Sequence, residues 1–228
     1  MTRITREMIQ AINEGVYTDI SKEDIRAIRE ERLNKIIEQS TLSYRWNSIP
    51  YMETKVADYK TDNFVDGPGV RNVLYVTYCP FACEECYNES IQDYRNGFDY
   101  TDELQALIIA DLGKAYIQGL SLLGGEPTLN AKTLLPLVEE VRQVYGETKD
   151  IWMWTGYLYE TLNALPDTDE RKQLLQAVDV VVDGQYIKEY RDEANPPVFR
   201  GSSNQRIIDV KQSVATNQVV ELTEYYKP

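Results

Sequence analysis

Three cysteines, Cys79, Cys83 and Cys86, fall within eight positions of a 228-residue chain that has no other cysteine and no histidine. In Cys79-Pro-Phe-Ala-Cys83-Glu-Glu-Cys86 the spacing is C-x3-C-x2-C, which puts three thiols on one short loop. Three thiolates so placed can hold three corners of a cubane iron–sulfur cluster and leave the fourth iron open to a substrate. A structural metal site wants a fourth ligand, and without His or a further Cys only carboxylates remain to supply one. A three-Cys zinc loop completed by a carboxylate, or three inert thiols, are the plainer readings of the same residues. An odd number of clustered thiols is not a disulfide framework. In a reducing compartment such thiols bind metal or do redox work. The missing histidine removes other chemistry at once: no Ser–His or Cys–His nucleophile, no His-ligated zinc or haem, no imidazole pH switch. Proton transfer would fall to carboxylates, Lys, Tyr or Cys.

The elements that must position this loop are legible around it. Residues 73–77 read as a strand, and the cysteines follow immediately. Helical patterns over residues 101–116, 134–144 and 170–177 then alternate with strand patterns over 120–123, 151–154 and 178–182. Such alternation predicts βαβ units and a parallel sheet, an α/β fold. Function in these sheets collects beyond the C-terminal ends of the strands. Cys79 lies there after the first strand, Gly124-Gly125-Glu126-Pro127 after the second, Thr155-Gly156-Tyr157 after the third and Asp183-Gly184 after the fourth. Glycines let a backbone approach a ligand closely, and a carboxylate suits an ammonium group.

The cysteine loop after a first strand, with Gly124-Gly125-Glu126-Pro127 after the second, resembles the radical S-adenosylmethionine superfamily. That resemblance implies an incomplete (βα) barrel with a mainly parallel sheet. It implies a [4Fe-4S] cluster on Cys79, Cys83 and Cys86, its open iron chelated by the amino and carboxylate groups of S-adenosylmethionine. Gly124, Gly125 and Glu126 would receive the amino group, and Glu85, Cys86 and Tyr87 would line the cofactor through their backbone. One electron from the reduced cluster would cleave the sulfonium and release a 5′-deoxyadenosyl radical.

Four further pieces sharpen the resemblance: Phe64-Val-Asp-Gly67-Pro-Gly69-Val-Arg71, Cys86-Tyr-Asn88, Asp150-Ile-Trp-Met-Trp-Thr-Gly-Tyr157 and Phe199-Arg-Gly-Ser-Ser-Asn-Gln-Arg206. Over residues 51–214 the chain is similar to the activating proteins of anaerobic (class III) ribonucleotide reductases, which are glycyl-radical activases. The implied reaction takes a hydrogen atom from a backbone glycine of the reductase, with reduced flavodoxin or ferredoxin as electron donor. The glycine loop would enter at an open edge framed by Tyr157 and Arg206. One alternative is an activase of pyruvate formate-lyase or another glycyl-radical enzyme. Those commonly carry Cys-His-Asn where this chain has Cys86-Tyr87-Asn88, and they lack the 200–206 segment. The other is a non-enzymatic iron–sulfur sensor, which needs no platform at Gly124–Glu126. The chain departs from the family pattern at Tyr78, where a Gly is common, and at Phe81, Ala82, Glu84 and Glu85, among which a basic residue or His is usual. Two acids beside a cluster lower its reduction potential unless they are screened.

Charge and length complete the reading. Against 37 Asp+Glu stand 24 Lys+Arg, a net −13, which argues against nucleic-acid binding, since that needs a basic surface. Residues 1–50 hold eight acids and eight bases, so the whole −13 belongs to residues 51–228. Ser21-Lys-Glu-Asp24 reads as a helix start, with Ile25, Ile28, Leu33, Ile36 and Ile37 at helical spacing behind it. The expected organisation is a helical N-terminal arm of unassigned role, residues 1–50, and an activase domain, residues 51–228. No apolar signal core opens the chain and no apolar run approaches the roughly 18 residues of a membrane span, so a cytoplasmic protein is expected.

Overall fold

The computed structural model describes residues 55–226, so the helical arm expected over residues 1–50 lies outside the described residues. In chain order the elements are β1 (Lys55–Asn63), β2 (Val70–Val76), β3 (Phe98–Asp99), α1 (Asp102–Leu112), β4 (Ile117–Gly124) and α2 (Ala131–Tyr145). They continue with β5 (Asp150–Thr155), α3 (Tyr159–Asn163), α4 (Glu170–Ala177), β6 (Val180–Asp183), β7 (Arg206–Asp209) and α5 (Val210–Thr216). The strands form one sheet in the order β3-β1-β2-β4-β5-β6-β7.

Its centre, β2-β4-β5-β6, is parallel and runs in chain order. These strands read as near-continuous apolar runs because both of their faces are covered. β1 and β3 on one side and β7 on the other pair antiparallel. The expectation of a mainly parallel sheet therefore describes the centre only, and the sheet as a whole is mixed. The physical reason lies at the edges. β1 is half polar and pairs with β2 through two register shifts, and β7 is a four-residue strand returning beside β6.

Register sorts the side chains onto two faces. Leu74, Leu122, Met153 and Val181 stand in line across the parallel strands and are fully buried. On the opposite face Val73, Ser121, Trp152 and Val180 form one row, with Tyr75, Leu123, Trp154 and Val182 nearer the strand ends. There Trp152, Val180, Val182 and Ile207 form a cluster covered by Phe199, Leu222, Tyr225 and Tyr226. At the N-terminal end of this second face Arg71 is wholly buried. Its guanidinium lies 2.5 Å from the Asp150 carboxylate and donates to Ser121 Oγ and the Leu120 carbonyl, both at 2.9 Å. It also sits 5.7 Å from the Trp152 ring.

Helix ends follow capping chemistry. Thr101, Asp169 and Asp209 accept from backbone N–H groups in the first turns of α1, α4 and α5. Asp179, just before β6, ties three elements together. Its carboxylate accepts from Arg142 Nη2 of α2 at 2.6 Å, from the Ile151 N–H of β5 at 2.7 Å and from Lys211 Nζ of α5 at 2.9 Å. Among the described residues no helix is long and apolar enough to cross a membrane.

Candidate active site

The cysteine loop leaves the end of β2 and is fixed at its base. The Tyr78 N–H donates to the Ile91 carbonyl at 2.9 Å and the Cys79 N–H to the Gln92 carbonyl at 3.1 Å. Each cysteine is preceded by a residue in the left-handed region: Tyr78 at φ 69°, Ala82 at 44° and Glu85 at 54°. None of the three is glycine, so each of these turns carries backbone strain that neighbouring contacts must hold. Asn88 N–H donates to Cys86 Sγ at 3.4 Å. All three thiols are partly exposed and line one cavity of about 980 Å³. Burial, with the Glu126 carboxylate nearby, pushes the Cys79 thiol well above its ordinary value, and burial also raises Cys83. Holding these sulfurs as thiolates thus calls for a cationic partner such as iron. Among the described residues no group of three or more His, Cys, Asp or Glu side chains is arranged to hold a metal ion. The donor set here is three sulfurs of one loop that all line a single large cavity.

The Gly124–Glu126 segment forms the adjoining wall. Its glycines are required first by the chain itself. A Cβ on Gly124 would lie 2.7 Å from the Val76 carbonyl oxygen, and Gly124 has φ +112°. A Cβ on Gly125 would lie 2.4 Å from the Tyr78 carbonyl oxygen, in the backbone that leads into Cys79. The pair lets β4 press against the root of the cysteine loop. Glu126 is buried, and its carboxylate is fully engaged by the protein. Oε1 accepts from the Thr128 N–H at 3.0 Å, Thr128 Oγ1 at 2.7 Å and Thr155 Oγ1 at 2.8 Å, and Oε2 accepts from the Gly156 N–H at 2.8 Å. Burial raises this carboxyl above the usual range despite those four donors. The side chain cross-ties the ends of β4 and β5, and only the backbone of the segment is left for an ammonium group.

Of Glu85, Cys86 and Tyr87, the last two line the cavity, and Tyr87 is largely exposed. Two residues expected to frame an entrance do not. Tyr157 is buried and packs edge-on against Phe81, ring centroids 4.9 Å apart. Arg206 turns away to pair with Asp183 and with Glu160, Nη2 to Oε2 at 2.7 Å. Both are structural because the ends of β5, β6 and β7 must be tied where the sheet stops. The cavity wall they were expected to form is supplied by Trp154, Phe199 and Arg200.

Against known proteins, the family model of the 4Fe-4S single cluster domain matches residues 65–208. The anaerobic ribonucleoside-triphosphate reductase-activating protein of Enterobacteria phage T4 is 42% identical over 147 residues, covering 64% of this chain and 87% of the relative. The protein of that name from Vibrio cholerae is 41% identical over 154 residues, 65% of this chain and 94% of its own. That from Escherichia coli K12 is 37% identical over 151 residues, 64% and 93%. The chain belongs to the anaerobic ribonucleoside-triphosphate reductase-activating protein family. In this chain the loop between β6 and β7 folds over the cysteines, a feature that the sequence did not announce. Gln185 Nε2 lies 3.4 Å from Cys83 Sγ, and Lys188 Nζ lies 2.8 Å from Glu84 and 2.6 Å from Glu85. Arg191 stacks on Tyr87 at 4.8 Å, and the Tyr186 ring lies 6.1 Å from the Tyr87 ring. Only their position after the Asp183-Gly184 strand end could have drawn attention to them.

Proposed function

We propose that this chain activates an anaerobic ribonucleotide reductase by radical chemistry at a [4Fe-4S] cluster held by Cys79, Cys83 and Cys86. The observation that carries the reading is the convergence of three thiols from one loop with the Gly124–Glu126 edge in a single cavity at the ends of parallel strands. A [4Fe-4S] cluster held by Cys79, Cys83 and Cys86 would supply the electron for reductive cleavage of S-adenosylmethionine, the chemistry by which hydrogen would be taken from a backbone glycine of the reductase. The chain's own residues bind and orient. The backbone of Gly124, Gly125 and Glu126 receives the amino end of the cosubstrate, and that of Glu85, Cys86 and Tyr87 lines its other side. Glu126 acts at one remove, fixing Gly156 and Thr155 so that the wall keeps its shape. Leu123, Trp154, Phe81 and Phe199 make part of the cavity apolar, which keeps water from a reactive species.

The consecutive order of the four parallel strands supports reading the domain as an incomplete (βα) barrel, with residues 51–228 as the activase domain and 1–50 as a separate arm. Reduced flavodoxin or ferredoxin, in the cytoplasm, is the donor this scheme calls for. The test is anaerobic reconstitution with the co-occurring reductase, reading a glycyl radical by electron paramagnetic resonance. Cys83→Ala is expected to abolish that signal and to lower bound iron. A fully iron-loaded, active Cys83→Ala protein would end the reading.

A further inference from the structure

Glu84 and Glu85 occupy the two positions between Cys83 and Cys86, so two carboxylates are carried on the same short loop as the sulfurs. Across from them, the segment after β6 is firmly seated. Gln205 Nε2 donates to the Gly184 carbonyl at 2.7 Å and Asn204 Nδ2 to the Gln185 carbonyl at 2.9 Å. From this seat Gln185 Nε2 reaches Cys83 Sγ and the Phe81 carbonyl, each at 3.4 Å. Three residues on, Lys188 Nζ contacts both glutamates, at 2.8 and 2.6 Å. The Lys188, Glu84 and Glu85 side chains are 37%, 72% and 53% exposed. Ion pairs so open to water add little to stability. Their effect on a charge that arrives next to them is another matter. The reduction potential of an iron–sulfur centre follows the net charge around it and the hydrogen bonds to its sulfurs.

We propose that Gln185 and Lys188 are positioning residues that hold up the reduction potential of the centre at Cys79, Cys83 and Cys86. Lys188 cancels one of the two negative charges that Glu84 and Glu85 place beside it, and Gln185 offers an N–H to the Cys83 sulfur. Neither side chain takes part in the chemistry, since each acts through the group it contacts. The inference rests on the cluster reading above, and its test separates the two.

The experiment is a redox titration of the anaerobically reconstituted full chain, followed by electron paramagnetic resonance, with iron and sulfide measured on each sample. Lys188→Met is expected to lower the reduced-to-oxidised ratio about fivefold at fixed poise, about 40 mV at the roughly 59 mV per tenfold of a one-electron couple. Lys188→Arg should retain the wild-type midpoint. Adding Glu84→Gln alone to Lys188→Met returns the local charge to that of the wild type and should restore it, and neutralising both glutamates should raise it above the wild-type value. Gln185→Leu should shift it in the same direction as Lys188→Met. A fully loaded Lys188→Met protein with an unchanged midpoint would overturn the proposal. So would a lowered midpoint that persists after both glutamates are neutralised, because the loop would then have moved rather than lost a charge. A wild-type chain that binds no iron would overturn the cluster reading and this inference with it.

Discussion

Gly125 illustrates how a residue beside a ligand site can be fixed by the protein before any ligand is considered. A methyl added at this position would stand 2.4 Å from the Tyr78 carbonyl oxygen, and backbone cannot swing aside as a flexible side chain would. Gly125→Val is therefore expected to displace the root of the cysteine loop and to lower iron loading together with S-adenosylmethionine affinity. Iron and sulfide analysis after reconstitution, alongside equilibrium binding of the cosubstrate, checks this. Full loading with lost affinity would show that the glycine serves the ligand alone. The cysteines and the Gly-Gly-Glu-Pro tetrad stood out because their chemistry is local in sequence. Gln185 and Lys188 were not, since they meet Cys83 and Glu84 across 102 and 104 positions of chain. A lysine in a loop carries no mark of the carboxylate it will find. Glu126 stood out in the sequence at the end of the second strand, yet its four internal donors appear only once β4 and β5 lie side by side.

Among the elements, the central strands were readable because they are buried on both faces, as the runs Val73-Leu-Tyr-Val76 and Val180-Val-Val182 show. β1 and β7 were not, because polar edge strands such as Lys55–Asn63 are defined by the neighbour they pair with rather than by their own pattern. The junction of these elements at Asp179 has a measurable pH signature. Burial penalises its charged form, but donors from Arg142, Ile151 and Lys211 outweigh that and hold the carboxyl below the usual range. An acid held low in the folded state contributes stability above its unfolded pKa, about 3.9, and loses it as pH falls through the folded value. Asp179→Asn is expected to cost about 2 kcal/mol at neutral pH, as for hydrogen bonds to charged groups. In urea unfolding the gap between the two proteins should close below about pH 4. A gap that stays constant from pH 7 to 3 would mean that the carboxylate's charge is not what joins α2, β5 and α5.

For the molecule as a whole, the charge distribution sets a test of the arm. Residues 51–228 carry the entire −13, whereas residues 1–50 are neutral and are the part least repelled by an acidic partner. Deleting residues 1–48 is expected to leave reductive cleavage of S-adenosylmethionine intact and to weaken activation of the reductase at limiting concentration. A tenfold loss of affinity would correspond to about 1.4 kcal/mol of docking contacts. Equal activation by the shortened chain would assign the arm to packing.

Arg71 has a consequence for traffic. Beneath Tyr75, Leu123 and Trp154, which line the cavity, the same sheet face is filled by Val73, Ser121 and Trp152, and Arg71 is clamped to Asp150 at its foot. That end of the sheet is stoppered, so small molecule and peptide must come and go past the strand ends. A peptide seated there covers whatever arrived before it. The kinetics should accordingly be ordered, with the small molecule first on and last off, and excess reductase should slow the departure of spent nucleoside rather than speed it.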